Sequence, residues 1–320
     1  MQTIVECVPN FSEGRDRLIV EQIAAAIESV PGVAVLDLHL DPDHHRSVIT
    51  FVGKKETVGE AAVRAVGQAA ERIDMNRHAG EHPRIGAADV VPFVPVEGVT
   101  LEDCAGIAHT AGEEIARRFG IPVYFYGAAA RRPERVALEA VRRGGYERLK
   151  ELGLDDPART PDVGEPRLHP TAGATMVGAR PFLIAFNVNL DSADRAAADQ
   201  IARAVRASSG GLLGVKAMGA LLRSRSVGGR EGQAQVSMNL TDFEQTSVAR
   251  AYRAIEQEAA RLGVGIHSSE IVGLVPQRAV AGIRPQELKL TDFLPDKILE
   301  FQIAEALARL DIEPQRHKEH

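Results

Sequence analysis

The sequence predicts an α/β (α+β) protein made of two halves. Each half can be written strand-helix-strand-strand-helix-strand from its apolar periodicity. The first strand of each half ends in a similar way, with Val8-Pro9-Asn10-Phe11 in one and Asn187-Val188-Asn189-Leu190 in the other. A chain of 320 residues, 44% hydrophobic and 26% charged, has enough apolar material for two such cores. That element order is the split βαβ, or ferredoxin-like, pattern. The expected division is 1–178 for the first half and 179–312 for the second, with a mobile charged tail at 313–320.

Residues 3 to 8 read as a short strand stopped by Pro9. Leu18, Ile19, Ile23, Ala26, Ile27 and Val30 recur at helical spacing from Asp16, and Pro31-Gly32 ends that helix. Val33–Leu38 and Ser47–Val52 read as strands joined by a polar loop, Leu38 to Arg46. Thr57 and Glu60 suggest a capping box for a helix running to about Ile73. Asp89–Val96 is an apolar strand. Thr100 with Asp103 caps a helix that stops at Gly120. Ile121–Tyr126 is a strand, and Pro133 to about Arg143 is helical until Gly144-Gly145. Residues 155–178 show no sustained period and read as a linker or binding loop.

In the second half, Phe182–Leu190 is a strand and a helix starts at Asp191 or Ser192. Gly214–Leu222 and Gln235–Leu240 read as paired strands, joined by the basic loop Arg223–Gly232. That loop is Gly-rich but lacks the Lys-Ser/Thr ending of a P-loop, so it reads as a hairpin tip. A helix within Thr241–Gly263, a strand Gly265–Leu274 and an amphipathic helix Phe293–Leu310 complete the chain.

Composition narrows the function. Net charge is −6 with no Lys/Arg tract, which argues against nucleic acid as a partner. No long apolar run predicts a membrane span, and the N-terminus lacks the pattern of a secretory signal, so a cytoplasmic location is expected. Cys7 and Cys104 make neither a zinc set nor a disulfide framework and read as buried thiols. With no tryptophan and 4% aromatics, a flat heteroaromatic ligand would be held by aliphatic walls and backbone.

The densest stretch runs from His78 to Val96, a polar loop feeding the apolar strand. Pro83 biases His82 toward extended backbone, and Gly80 and Gly86 bracket it. Its imidazole titrates near neutrality and suits general acid/base work. On a helix, His78 and His82 would form a metal pair, but Gly80 and Pro83 oppose that geometry; His44 and His45, adjacent on a strand, would face opposite sides. No metal is expected.

Glu81-His82-Pro83-Arg84-Ile85-Gly86-Ala87-Ala88-Asp89-Val90 resembles the signature of the glutamate formimidoyltransferase (formiminotransferase) family. Val5 to Arg15, Arg46 to Gly53, Ile73-Asp74-Met75, Pro122 to Gly127, Gly178 to Leu190 and Ile271 to Pro276 resemble further blocks of that family, in its order. The resemblance implies two α/β halves whose sheets face a folate tunnel, with helices outside. It implies transfer of a formimidoyl group from N-formimidoyl-L-glutamate to tetrahydrofolate, with His82 as general acid/base and without a metal. It also implies donor binding by Arg84 and Arg46, whose guanidinium groups suit carboxylates.

Asp37 or His39 would orient the His82 ring or line the donor site. Family members often carry Asp where this chain has His39, and Asp41 is a further substitute. By position, Gly164, Glu165, Pro166, Arg167, Leu168, His169, Pro170, Thr171, Ala172 and Gly173 correspond to the family's folate-contacting loop. Its flanks resemble the family and its interior does not. Arg167 and His169 would suit a polyglutamylated tetrahydrofolate. A homodimer and a separate formimidoyltetrahydrofolate cyclodeaminase are implied as well. The rival readings are a formyltransferase using N-formylglutamate on the same fold, a non-catalytic folate-binding protein, and a metal-dependent amidohydrolase.

Overall fold

The computed structural model describes residues 3–42, 44–79, 83–222, 230–291, 293 and 295–312. The chain divides into two compact units: residues 1–180 with the chain end from 306, and residues 181–305.

The first unit opens with β1 (Ile4–Cys7) and β2 (Asn10–Phe11), two pieces of one strand line broken at Pro9. Then come α1 (Arg17–Glu28), β3 (Val33–Asp41), β4 (Arg46–Gly53), α2 (Val58–Arg72) and β5 (Ala88–Glu97). β3 pairs with β4, β4 with β1 and β2, and these with β5, all antiparallel, which gives the ferredoxin-like strand order. α3 (Leu101–Phe119), β6 (Val123–Gly127), α4 (Leu138–Val141), α5 (Gly145–Leu152) and β7 (Thr175–Ala179) extend the sheet, with β7 parallel to both β5 and β6.

Helices α1, α2 and α3 cover one face. Phe11, Ile49, Phe51, Val91, Phe125 and Val177 bury there against Ile23, Ile27, Val66 and Ile115. Full burial of each large apolar side chain contributes about 1.5–3 kcal/mol. On the other face, α5 covers β5, β6 and β7 through Leu149, which packs with Val90, Tyr124 and Met176.

The second unit is β8 (Ile184–Leu190), α6 (Arg195–Val205), β9 (Val215–Leu221), β10 (Ala234–Leu240), α7 (Val248–Arg261) and β11 (Ile266–Val272). Its antiparallel strand order is β11-β8-β10-β9, again ferredoxin-like. Phe186, Val188, Val236 and Met238 meet Ile201, Tyr252 and Ile255 in its core. α8 (Gln277–Val280) and α9 (Leu299–Ile312) follow.

Several sequence expectations need correction. The polar loop begins later than expected, because β3 continues to Asp41. Leu38 and Leu40 enter the core while Asp37, His39 and Asp41 alternate onto the opposite face. Thr57 makes no side-chain cap, and Glu60 instead engages Arg64 and Arg118; the Thr100–Asp103 box does form. The helix expected over 133–143 is a 3₁₀ turn, Pro133–Arg135, followed by the short α4. Buried Arg135 is held there by Asp162 at 2.8 Å and by the Thr160 carbonyl.

α5 was not expected, and the second-half helix begins later than expected, capped by Asp194. The C-terminal helix likewise starts later, at Leu299. Residues 175–179 are not linker but the strand between β5 and β6. A five-residue parallel strand containing Gly178 carries too short a period to announce itself. The tail 313–320 and the loop tip 223–229 lie outside the described residues.

Candidate active site

In β2, β3 and β4, Asn10 stands opposite Val48, Val48 opposite His39, and Arg46 opposite Asp41. Directly opposed residues share a face. Asn10, Asp37, His39, Asp41 and Arg46 therefore lie on the sheet face away from α1–α3. Arg46 Nη1 donates to Asn10 Oδ1 at 3.1 Å. Burial lowers the Arg46 pKa, and Asp41 opposes that shift.

Asp41 Oδ2 lies 2.7 Å from His44 Nδ1. Burial pushes the Asp41 carboxyl up, but the His44 contacts outweigh it and hold the group at about 2. Asp37 Oδ2 is buried and meets no hydrogen-bond partner among the described residues.

The β3–β4 turn and the loop before β5 meet through two histidines. The His45 ring stacks on His78, with centroids 4.3 Å apart and planes 16° apart. Its Nδ1 faces the Ala79 carbonyl at 3.0 Å and its Nε2 faces Glu13 Oε1 at 3.2 Å. Both partners are acceptors. His45 has φ +48°, in the left-handed region that residues other than Gly seldom adopt, Asn, Asp and His being the commoner exceptions.

Glu13 also accepts from the Arg15 and Asp16 amides. Burial raises its pKa, but these two amides and His45 bring it below the usual value.

His78 is the opposite case. Arg84 Nε donates to its Nδ1 at 2.9 Å, and its Nε2 meets the His45 carbonyl at 2.9 Å. A guanidinium only donates and a carbonyl only accepts, so the ring is fixed as the neutral Nε2–H tautomer. Burial lowers the His78 pKa, and nearby His45 and Arg84 act in the same direction. With the folded value below the usual 6.5, the unfolded chain binds more protons in the window beneath it. Stability is thus expected to fall as pH drops from about 6.5. Thermal midpoints measured from pH 7 to 5 should fall less steeply for His78→Gln; equal slopes would remove His78 as the cause.

Arg84 also donates from Nη2 to the His78 carbonyl and takes Glu147 of α5 in a two-pronged pair, at 2.7 and 3.1 Å. Its side chain is 11% exposed and that of Glu147 64%. Beside this pair is a cleft of about 360 Å³ lined by Met75, Asn76, His78, Tyr146, Glu147 and Lys150. Further along the chain, the Asp89 carboxylate accepts from the Ile85 amide at 2.8 Å and from Arg142 at 2.7 Å. Burial raises the Asp89 pKa despite Arg142. His82, with Gly80 and Glu81, lies outside the described residues.

The ten residues 164–173 fall into two parts. Gly164, Glu165, Pro166 and Arg167 are exposed. Leu168, His169, Pro170, Thr171, Ala172 and Gly173 brace the loop before β5. The Thr171 carbonyl accepts from the Met75 amide and that of Pro170 from Asn76; Ala172 and Gly173 pair with Gly86 and Ala87. His169 Nδ1 accepts from the Ala172 amide at 3.0 Å, so this ring closes a turn.

Sequence reasoning did not single out Asn10, Glu13, Arg142 or Glu147 for this cluster. Glu147 lies 63 residues from Arg84, and no local period connects them. Among the described residues, no group of three His, Cys, Asp or Glu could hold a metal ion. Nor is any helix among them long and apolar enough to cross a membrane.

Residues 4–180 match the family model of the formiminotransferase domain, N-terminal subdomain, and residues 185–284 match that of the formiminotransferase domain. The chain belongs to the formiminotransferase family. It is 44% identical over 293 residues to a glutamate formimidoyltransferase of Streptococcus pyogenes serotype M1, covering 92% of this chain and 96% of that protein. It is 45% identical over 306 residues to one of Thermoplasma acidophilum, covering 95% and 98%. Against the formimidoyltransferase-cyclodeaminase of Sus scrofa it is 43% identical over 286 residues, covering 88% of this chain and 51% of that protein. The formiminotransferase matches thus run through both ferredoxin-like units and through every strand that carries the cluster above.

Proposed function

We propose that the chain is a glutamate formimidoyltransferase. It moves the formimidoyl group of N-formimidoyl-L-glutamate to tetrahydrofolate, giving 5-formimidoyltetrahydrofolate and L-glutamate, a late step of histidine degradation. The observation that carries this reading is identity of 44–45% across nearly the whole length of two proteins of that name.

In the reaction, N5 of tetrahydrofolate attacks the amidine carbon and the C–N bond to glutamate breaks. One proton leaves N5 and one reaches the departing amine. A single imidazole performs both transfers in turn, and His82 is assigned that role. Asp37, with its buried Oδ2, would orient the ring, and His39 stands beside it on the same face. Arg46 would take a donor carboxylate. The exposed strip Gly164–Arg167 would meet the folate, including a polyglutamyl tail, while 168–173 hold the loop. A cytoplasmic homodimer and a separate cyclodeaminase consuming the product complete the proposal.

Arg84 would serve the loop more than the donor, because its guanidinium already holds His78 and Glu147. Glu147→Ala is expected to lower kcat and thermal stability and leave the donor KM unchanged. A lower donor KM in that variant would instead mean that Glu147 competes with the donor for Arg84.

The deciding assay offers tetrahydrofolate with either formimidoylglutamate or N-formylglutamate, with and without chelator. Folate-dependent, chelator-insensitive transfer from the formimidoyl donor is expected. Turnover of the formyl donor alone, or turnover without folate, would sink the assignment.

A further inference from the structure

The second unit carries a cavity that the proposed reaction does not use. It has a volume of about 410 Å³ and is lined by α7 and by the segment from α8 to the 3₁₀ turn Pro285–Leu288. Pockets of this size hold small molecules. All its lining residues fall within 243–288, inside one compact unit. None belongs to the cluster described above.

The buried part of the lining is apolar. It consists of Phe243, Tyr252, Ala279 and Leu288, each at most 8% exposed. Three arginines and three glutamates surround it. Two of those arginines are already engaged. Arg278 pairs with Glu244 at 3.3 Å and lies over the Phe243 ring, 5.1 Å from its centroid. Arg284 pairs with Glu287 at 3.0 Å. Arg253 and Glu256 differ. They stand three residues apart on α7, both are exposed, and among the described residues neither side chain has an ion-pair or hydrogen-bond partner.

Tyr252 is the residue that points to a ligand. It is 1% exposed, and a buried tyrosine usually satisfies its hydroxyl with a partner. Here the residue lines the cavity, and its hydroxyl has no hydrogen-bond partner among the described residues. Burial and the nearby Glu256 carboxylate push its pKa up to about 12. The phenol therefore stays protonated at neutral pH and can donate.

We propose that this cavity binds an α-amino acid with an apolar side chain. Arg253 and the Tyr252 hydroxyl take the carboxylate, Glu256 takes the ammonium, and the apolar side chain rests on Phe243 and Leu288. A guanidinium suits a carboxylate through two parallel hydrogen bonds. Residues three apart on a helix are neighbours on its surface, so Arg253 and Glu256 offer opposite charges side by side, as the zwitterion does. The proposal stands apart from formimidoyl transfer, and neither depends on the other.

Calorimetric titration of the full chain with L-phenylalanine tests it. Saturable binding below about 10 mM is expected. 3-Phenylpropionate, which lacks the ammonium, and phenethylamine, which lacks the carboxylate, should each bind at least roughly 10-fold more weakly. Arg253→Gln should weaken L-phenylalanine binding by roughly 10-fold and Tyr252→Phe by roughly 5-fold. Absence of saturable binding to the unaltered chain would overturn the proposal. So would parental affinity in both variants, or 3-phenylpropionate binding as tightly as the amino acid. Arg253 is exposed and its replacement leaves the core intact, so the result can be read even if Tyr252→Phe does not fold.

Discussion

His82→Ala is expected to lower turnover by about 10²- to 10⁴-fold while folate still binds, the usual effect of removing a general acid/base. The described histidines of the cluster are already engaged. His78 accepts from Arg84 on one nitrogen and donates to a carbonyl from the other, so it has no proton to exchange without breaking a contact. Both nitrogens of His45 face acceptors. His44 Nδ1 is paired with Asp41. His44→Ala is therefore the informative comparison. If it lost as much turnover as His82→Ala, the acid/base role would pass to His44. Near-parental turnover of His82→Ala would end the assignment outright. Folate affinity should be measured on both variants, because a loss of binding would mimic a loss of chemistry.

Gly86→Ala is expected to damage stability and activity together. A Cβ at this position would lie 1.9 Å from the Ala174 carbonyl oxygen and 2.6 Å from that of Ala172. Both are backbone atoms, and neither has a rotamer through which to retreat. Around them, Ala87 donates to the Ala172 carbonyl, Ala174 to that of Ile85, and Ser12 Oγ to that of Gly86 itself. Making room means parting this ladder, at about 3 kcal/mol or more by comparison with overpacked cores. In a unit of this size that amounts to a fall in thermal midpoint on the order of 10 °C.

Gly106, exposed in α3 with nothing within 4 Å of its Cβ position, is the control. There alanine removes a helix-interior glycine and should stabilise by about 1 kcal/mol. Equal midpoints for the two variants would show that the close approach at Gly86 is not structural.

Much of this protein is legible in local sequence. The alternation of β8, the helical period of α1 and the Thr100–Asp103 cap each depend on residues close together in the chain. So do the family blocks around Pro83 and Asn187. Element types, their order and the family follow from such stretches, because hydrophobic periodicity and capping act within a few residues.

Only the tertiary structure decided which side chains meet. β7 has no local signature, because a short parallel strand is defined by its neighbours across the sheet. Glu147 reached Arg84 through an unexpected helix, and the folded backbone turned part of residues 164–173 into a brace for the loop. The surroundings of His45 and the tautomer of His78 were likewise undetermined by sequence. Two imidazoles of the same intrinsic chemistry differ because one faces two acceptors and the other a guanidinium and a carbonyl. Those partners come from residues 13, 79, 84 and 45, brought together by strand register and not by any local pattern.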